Sequence, residues 1–165
     1  MHERGEGGLE KSDAKAVALY RPAAAAGYAH ALYNLGCCFD DGRGVPQDRA
    51  EAVRLWLQAA DKGYASAEAN LAYAYILGEG VAQDYAAALR FARRAADKGN
   101  VSGESQLGFL YTEGLGVPQD AREGTKYFAK AAAQGEEGAI KNLRALAAGG
   151  VPEASAALRR LRLAP

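Results

Sequence analysis

The stretch that decides the fold is Gly42-Arg43-Gly44-Val45-Pro46-Gln47-Asp48, because it occurs three times at a fixed interval. It returns 36 residues later as Gly78-Glu79-Gly80-Val81-Ala82-Gln83-Asp84, and after 36 more as Gly114-Leu115-Gly116-Val117-Pro118-Gln119-Asp120. Around these loops, residues 27–62 and 63–98 are identical at 18 of 36 positions without a gap. Self-similarity at such a period indicates a repeat protein.

The period divides the chain into a series of repeats within one predicted domain, 1–165. A partial repeat precedes three full ones, and a degenerate capping repeat follows them. The predicted boundaries are 1–26 for the partial repeat, 27–62, 63–98 and 99–134 for the full repeats, and 135–165 for the capping repeat.

Each full repeat carries two amphipathic segments, one on either side of the loop. The first predicts a helix, called helix A, with Ala31, Leu35 and Phe39 on one face in the first repeat. The second predicts helix B, whose apolar stripe in that repeat is Ala52, Leu55, Trp56, Ala59 and Ala60. Helix A should end at the first loop glycine in a left-handed conformation, and the loop aspartate should cap helix B. Glu51 and Glu123 follow two of these aspartates at capping-box spacing.

Composition supports an all-α protein and excludes several functional classes. The chain has 38 Ala, whereas Val, Ile and Thr together number 11, so a β-sheet protein is excluded on propensity. The 20 basic and 20 acidic side chains balance, which gives no general attraction for nucleic acid or anionic lipid. No apolar run approaches the roughly 20 residues that span a bilayer, so no membrane insertion is expected.

The repeated pattern Ala-(x)3-Leu-Gly-(x)2-aromatic-(x)2-Gly-x-Gly-Val-(x)2-Asp-(x)3-Ala resembles the Sel-one-like repeat (SLR) family, a relative of the tetratricopeptide repeat. The resemblance covers residues 27–134 fully and the flanks in part. It implies a right-handed α-α superhelix, or solenoid, of antiparallel helix pairs with a 36-residue period. It also implies a bacterial scaffold that binds other proteins without catalysing a reaction.

The two ends depart from the repeat. Met1–Gly7 aligns with Cys38–Gly44, which predicts the end of a helix A, a loop with Gly8 as an extra residue, and a helix B that includes Lys15–Tyr20. Two alternatives stay open: a start truncated from a longer protein, and a degenerate capping half-repeat. At the other end, residues 153–163 predict a final helix with its arginines on the outer side.

The sequence offers no catalytic, cofactor or metal site. Its two histidines, His2 and His30, have no metal-ligand neighbours at a suitable spacing. Cys37 and Cys38 are adjacent, and we interpret them as packing residues, one directed to the core and one outward. The glycine loops lack the preceding strand and the Lys-Ser/Thr of a phosphate-binding loop. No enzyme activity is therefore expected, and a cell-wall or β-lactam hydrolase is the disfavoured alternative.

By resemblance to tetratricopeptide repeats, a partner should bind in a concave groove lined by the A helices. A ladder of side-chain amides and an exposed apolar patch would form its surface. The candidate residues are Tyr33, Asn34, Asn70, Tyr73, Ile76, Leu77, Gln106, Phe109, Lys141 and Asn142.

The predicted function is noncatalytic binding of a peptide segment or protein partner in that groove. Alternatives are a structural spacer within a longer SLR protein, an immunity-type partner of a bacterial effector, and a homodimer formed through the exposed aromatic side chains. The two unpaired thiols favour the cytoplasm, although a truncated start would leave the periplasm or secretion open.

Overall fold

The computed structural model describes residues 6–163, with side chains from Ser12 onward, and this part of the chain consists of α-helices joined by short loops. It contains no β-strand. The helices are α1 (Glu6–Ala25), α2 (Ala29–Asp41), α3 (Arg49–Asp61), α4 (Ala65–Leu77), α5 (Tyr85–Ala96), α6 (Val101–Glu113), α7 (Ala121–Ala133), α8 (Glu137–Ala148) and α9 (Pro152–Arg160). They belong to two compact units, one ending at Gln83 and the other beginning at Asp84.

In the first unit, α2 and α3 form a close helix pair that corresponds to helices A and B of the first full repeat. The predicted helix B stripe is buried throughout, and Ala31 and Leu35 of α2 are buried as well. Gly36 permits the close approach, because a Cβ there would lie 2.5 Å from Nε1 of Trp56. That indole nitrogen donates a hydrogen bond of 3.3 Å to the carbonyl oxygen of Tyr33.

In the second unit, α6 and α7 repeat this pairing. A Cβ on Gly108 would lie 2.6 Å from Cδ1 of the buried Phe128 ring, so a glycine again faces a large aromatic side chain. Helices α8 and α9 continue the core with Leu143 and Leu158, which are 0% and 1% exposed. The last helix ends at Arg160, three residues earlier than predicted.

The repeated loops have the predicted geometry. Gly42, Gly78 and Gly114 follow the A helices with φ of 69°, 74° and 70°, and Asp48, Asp84 and Asp120 accept hydrogen bonds from backbone N–H groups at the start of the B helices. The second loop glycine has a different role. A Cβ on Gly116 would lie 2.6 Å from the carbonyl oxygen of Tyr85, so a glycine lets this loop lie against the first turn of α5.

The predicted capping box is only half formed. In a complete capping box, the Glu51 carboxylate would accept a hydrogen bond from the backbone N–H of Asp48. That N–H instead donates to the carbonyl oxygen of Phe39 in α2, at 2.8 Å. The Glu51 carboxylate instead accepts two hydrogen bonds from Arg54. Glu123 likewise pairs with Lys126.

The predicted N-terminal loop is wrong where the structure describes it. Gly7 and Gly8 were expected outside a helix, but α1 is continuous from Glu6 to Ala25. Two glycines are only a weak indication of a loop when the residues on either side favour a helix. The part of this prediction that falls on Met1–Gly5 lies outside the described residues.

Candidate functional site

The predicted binding residues lie on the A helices of both units. In the first unit, α2 carries Tyr33 and Asn34, and α4 carries Asn70, Tyr73, Ile76 and Leu77. In the second, α6 carries Gln106 and Phe109, and α8 carries Lys141 and Asn142. We call these the A-helix surfaces of the first and second unit.

Exposed apolar side chains mark both surfaces. Tyr73 is 54% exposed and Leu77 is 46% exposed, one helical turn apart on α4. Phe109 on α6 is 39% exposed. Large apolar groups in solvent are a typical feature of interaction sites.

Ile76 does not belong to the exposed patch, contrary to the prediction. It is only 8% exposed. Ile76 follows Ala72 by four residues and Ala69 by seven, and both alanines are buried. A spacing of four and seven residues keeps all three on one helix face, so Ile76 belongs to the core.

Tyr33 is half-buried, contrary to the prediction that it belongs to the exposed patch. Its ring lies 5.1 Å from that of Tyr64, centroid to centroid. Burial, followed by the neighbouring Cys37 thiol, raises the pKa of Tyr33 to about 12. Burial also raises the pKa of Cys37 above its usual value. Both groups therefore stay neutral at physiological pH.

The amide ladder is partly engaged within the chain. Nδ2 of Asn34 donates to the carbonyl oxygen of His30, 2.9 Å away in the preceding turn of α2. Nδ2 of Asn70 donates to Sγ of Cys37 at 3.8 Å, which links α4 to α2. The Asn70 amide therefore makes a weak contact within the chain, because a thiol sulfur is a weak acceptor.

A small cavity of about 90 Å³ opens beside Tyr73. The residues that line it are Asp40, Trp56, Asn70, Tyr73, Ala74 and Glu79. The cavity is thus lined by two carboxylates, of Asp40 and Glu79, and by the aromatic side chains of Trp56 and Tyr73. Arg49 partly balances them, with nitrogen–oxygen distances of 3.6 Å to Asp40 and 3.5 Å to Glu79. Burial, and then the neighbouring Asp41, raises the pKa of Asp40.

The surface of the second unit is more polar. Gln106 and Asn142 are half-buried, whereas Lys141 is exposed. Lys141 lines an open cavity of about 630 Å³ together with Glu137, Gly138, Ile140, Arg144 and Leu163. Phe109 and Lys141 are the exposed members of this surface.

Sequence reasoning missed a side-chain contact that holds the loops next to these surfaces. Nε2 of Gln47, Gln83 and Gln119 donates to the carbonyl oxygens of Asp40, Ile76 and Thr112, at 2.6, 2.7 and 2.7 Å. Each bond caps the C-terminal end of an A helix from the loop that follows. The signal was present, because this glutamine is the same in all three copies of the loop.

The described residues contain no group of three or more His, Cys, Asp or Glu placed to hold a metal ion. Cys37 and Cys38 are both free thiols, the first half-buried and the second buried. Among the helices of residues 6–163, none is long and apolar enough to cross a bilayer.

Paired helices with glycine-mediated crossings, αL caps and loops of recurring sequence define an α-helical repeat protein of the solenoid class. The chain belongs to the Sel1 repeat family: its family model matches residues 1–28, 29–64, 65–100 and 101–136. This confirms the predicted resemblance and the predicted fold class. No curated protein sequence matches the chain significantly.

Solved structures that are similar to this chain include two proteins of the same repeat type. A Sel1 repeat protein from Oxalobacter formigenes is 32% identical over 75% of this chain and 51% of its own, with a TM-score of 0.69. The c5321 protein, a protective antigen of uropathogenic Escherichia coli with an SLR fold, is 36% identical over 87% of this chain and 32% of its own, with a TM-score of 0.77. The chain thus spans about half the length of one and a third of the other.

Proposed function

We propose that this protein is a noncatalytic interaction module that binds an extended peptide segment of a partner protein on its A-helix surfaces. Sel1 repeat proteins are generally protein-interaction modules. The observation that carries the proposal for this chain is the exposure of Tyr73 and Leu77 beside the cavity that Asn70 lines. An exposed aromatic side chain next to a side-chain amide suits a peptide, which offers side chains and backbone together.

The chemistry of the first surface suggests what the peptide carries. Tyr73 and Leu77 provide apolar contact area for an apolar side chain. Asp40 and Glu79 border the cavity and would accept hydrogen bonds from a Lys or Arg side chain, in competition with Arg49. We therefore expect the bound segment to combine an apolar residue with a nearby basic one.

A peptide selection followed by affinity measurement tests this proposal. A random peptide library is selected against the wild-type protein, and the enriched peptides are titrated against two variants by calorimetry. Tyr73→Ala should weaken binding at least tenfold, as expected when a central aromatic contact is lost. Leu19→Ala is the matched control, since it removes an exposed apolar side chain from α1. Failure to enrich any peptide, or equal affinity for both variants, would contradict the proposal.

A further inference from the structure

The first unit contains a cavity of about 310 Å³ that is separate from its A-helix surface. Residues of α1, α2 and α3 line it, and none of them belongs to the set proposed for peptide binding. Its apolar part consists of Leu32 and Leu35 of α2, Leu55 of α3 and the half-buried ring of Phe39. Because a cavity of about 150 Å³ can hold benzene, this one has room for an aromatic side chain.

The second unit has two aromatic rings at the position where the first unit has only one. Residues two repeats apart correspond, so Phe39 is equivalent to Tyr111, and Leu55 is equivalent to Tyr127. The rings of Tyr111 and Tyr127 stack, with their centroids 5.6 Å apart and their planes at 12°. Leu55 has no ring, so α3 offers Phe39 no equivalent stacking partner.

The two units also differ in how they use the arginine next to these rings. Arg93 of α5 is equivalent to Arg21 of α1. Nη2 of Arg93 donates a hydrogen bond to Oη of Tyr111 at 2.7 Å. Phe39 lacks that hydroxyl group, so Arg21 cannot form the equivalent bond. The first unit therefore lacks both the second ring and the oxygen acceptor that the second unit provides here.

The charged residues around the cavity favour an anionic group. They are Arg21, Arg54 and Glu51, which together carry one net positive charge. Arg54 donates two hydrogen bonds to the carboxylate of Glu51, so the charges of these two side chains largely cancel. Arg21 lies over the Phe39 ring, with Cζ 5.8 Å from the ring centroid. A carboxylate beside a ring stacked on Phe39 would therefore meet the charge of Arg21.

We propose that this cavity binds an aromatic side chain of a partner peptide in which an acidic residue is the neighbour. The ring stacks on Phe39 and packs against Leu55, while the carboxylate accepts hydrogen bonds from Arg21. The amide of Gln58, which also lines the cavity, can bond the peptide backbone. The A-helix surface is proposed to bind an apolar residue with a basic neighbour, so the two sites select peptides of opposite charge.

Three short peptides test the chemistry of this site. The first is acetyl-Gly-Glu-Phe-Glu-Gly-amide; the second has glutamine in place of both glutamates, and the third has leucine in place of phenylalanine. Each is titrated into the full chain with ¹³C-labelled leucine methyl groups, and binding is followed by NMR. The signals of Leu32, Leu35 and Leu55 report on the cavity, and those of Leu77 report on the A-helix surface.

We expect the first peptide to shift the cavity signals saturably and to leave those of Leu77 unchanged. Loss of the two carboxylates should weaken binding about threefold, as for an exposed ion pair. Loss of the aromatic ring should weaken binding about fivefold, because the stacking contact disappears.

Variants of the protein test the two contacts separately. Leu55→Tyr should fill the cavity as Tyr127 fills the equivalent position, and so abolish binding of the first peptide. Arg21→Gln, at an exposed position, should weaken binding about threefold and remove the preference for glutamate over glutamine. Lys15→Gln is the matched control, since it removes a positive charge from an exposed position of α1 outside the cavity. Circular dichroism checks folding, and Arg21→Gln decides if Leu55→Tyr is unfolded.

Four results would overturn the proposal. They are the absence of saturable shifts in the cavity signals up to the solubility limit of the first peptide, equal binding of the three peptides, equal binding by wild type and Arg21→Gln, and shifts confined to Leu77. Binding of free 3-phenylpropionate as tight as that of the peptide would also overturn it, because a small molecule would then be the occupant. Tyr73→Ala should bind the first peptide as the wild type does, so this proposal and that for the A-helix surface fail separately.

Discussion

At the scale of single residues, Gly36 of α2 lies very close to Trp56 of α3. A Cβ on residue 36 would lie 2.5 Å from the indole nitrogen and 3.3 Å from the carbonyl oxygen of Ala52. Gly36→Ala should therefore lower the free energy of unfolding by about 1–3 kcal/mol through overpacking, although alanine favours helix by about 1 kcal/mol. Urea denaturation measures the change.

The control for that substitution is Gly149→Ala. Gly149 has φ of −76° and would place its Cβ 3.4 Å from the nearest atom. The control should change the free energy of unfolding by less than about 0.5 kcal/mol, in the range of surface substitutions. Equal effects of the two variants would contradict the close crossing of α2 and α3.

Tyr33 should make stability depend on pH in the alkaline range. Its pKa is about 12 in the folded protein, against about 10 in an unfolded chain. Between these values the unfolded state loses a proton that the folded state keeps. The stabilisation is thus complete below pH 10 and is lost as the pH rises through 12.

Urea denaturation at pH 9 and pH 11 detects this loss. Tyr33→Phe should show a shallower fall in the free energy of unfolding than wild type between the two pH values, because it has no phenolic proton to release. Tyr73→Phe, which removes a phenol from an exposed position, serves as the control. A fall in Tyr33→Phe as steep as in wild type would show that Tyr33 is not the group responsible.

Residue types alone predicted the helix caps correctly, but they predicted the exposure of side chains less well. The loop aspartates and glycines have the expected geometry because both act through local backbone conformation. Ile76 and Tyr33 were expected to be exposed, but one is buried and the other half-buried. The burial of Tyr33 depends on a neighbour outside its own helix, the Tyr64 ring, which is not visible in a local pattern. The burial of Ile76 agrees with its spacing of four and seven residues from Ala72 and Ala69 in α4, a periodicity that is present in the sequence.

At the scale of helices and loops, the repeated glutamine fixes each loop to the helix before it. Nε2 of Gln119 donates to the carbonyl oxygen of Thr112 at 2.7 Å. Gln119→Glu keeps the shape of the side chain but replaces this donor with a carboxylate. Two oxygen acceptors would then face each other at an exposed position, so the free energy of unfolding should fall by about 0.5–1.5 kcal/mol at pH 7.

Acidification supplies the control for Gln119→Glu within the same variant. Below the ordinary glutamate pKa of about 4.3, the protonated side chain can donate a hydrogen bond again. The difference in unfolding free energy between variant and wild type should therefore shrink at pH 3.5. A difference that is the same at pH 7 and pH 3.5 would show that the hydrogen bond to Thr112 is not its cause.

Helix positions were largely predictable because a 36-residue period repeats the same signals three times. Prediction failed at α1, where the repeat is incomplete and the alignment placed a loop across Gly7 and Gly8. The glutamine contact was missed for another reason: a side chain that bonds a carbonyl seven residues earlier leaves no helical or strand periodicity. The only sign of this contact in the sequence is that glutamine occupies the same position in all three loops.

At the scale of the whole molecule, the sequence specified a class of protein and a kind of surface. The recurring loop and helix pattern identified the repeat family, and the A helices supplied the exposed apolar positions. The partner could not be predicted from the sequence. The exposed side chains of Tyr73, Leu77 and Phe109 provide apolar contact area, but apolar area alone does not identify the molecule that binds there. Selection of a peptide is therefore the step that links this fold to a function.

Backbone amide chemical-shift mapping with a selected peptide tests the central claim most directly. We predict that the largest shifts in the first unit fall on α2 and α4, around Asn70, Tyr73 and Leu77, and that Tyr73→Ala abolishes them. Shifts concentrated on α3, with α4 unchanged, would contradict the assignment of the A-helix surface as the binding site.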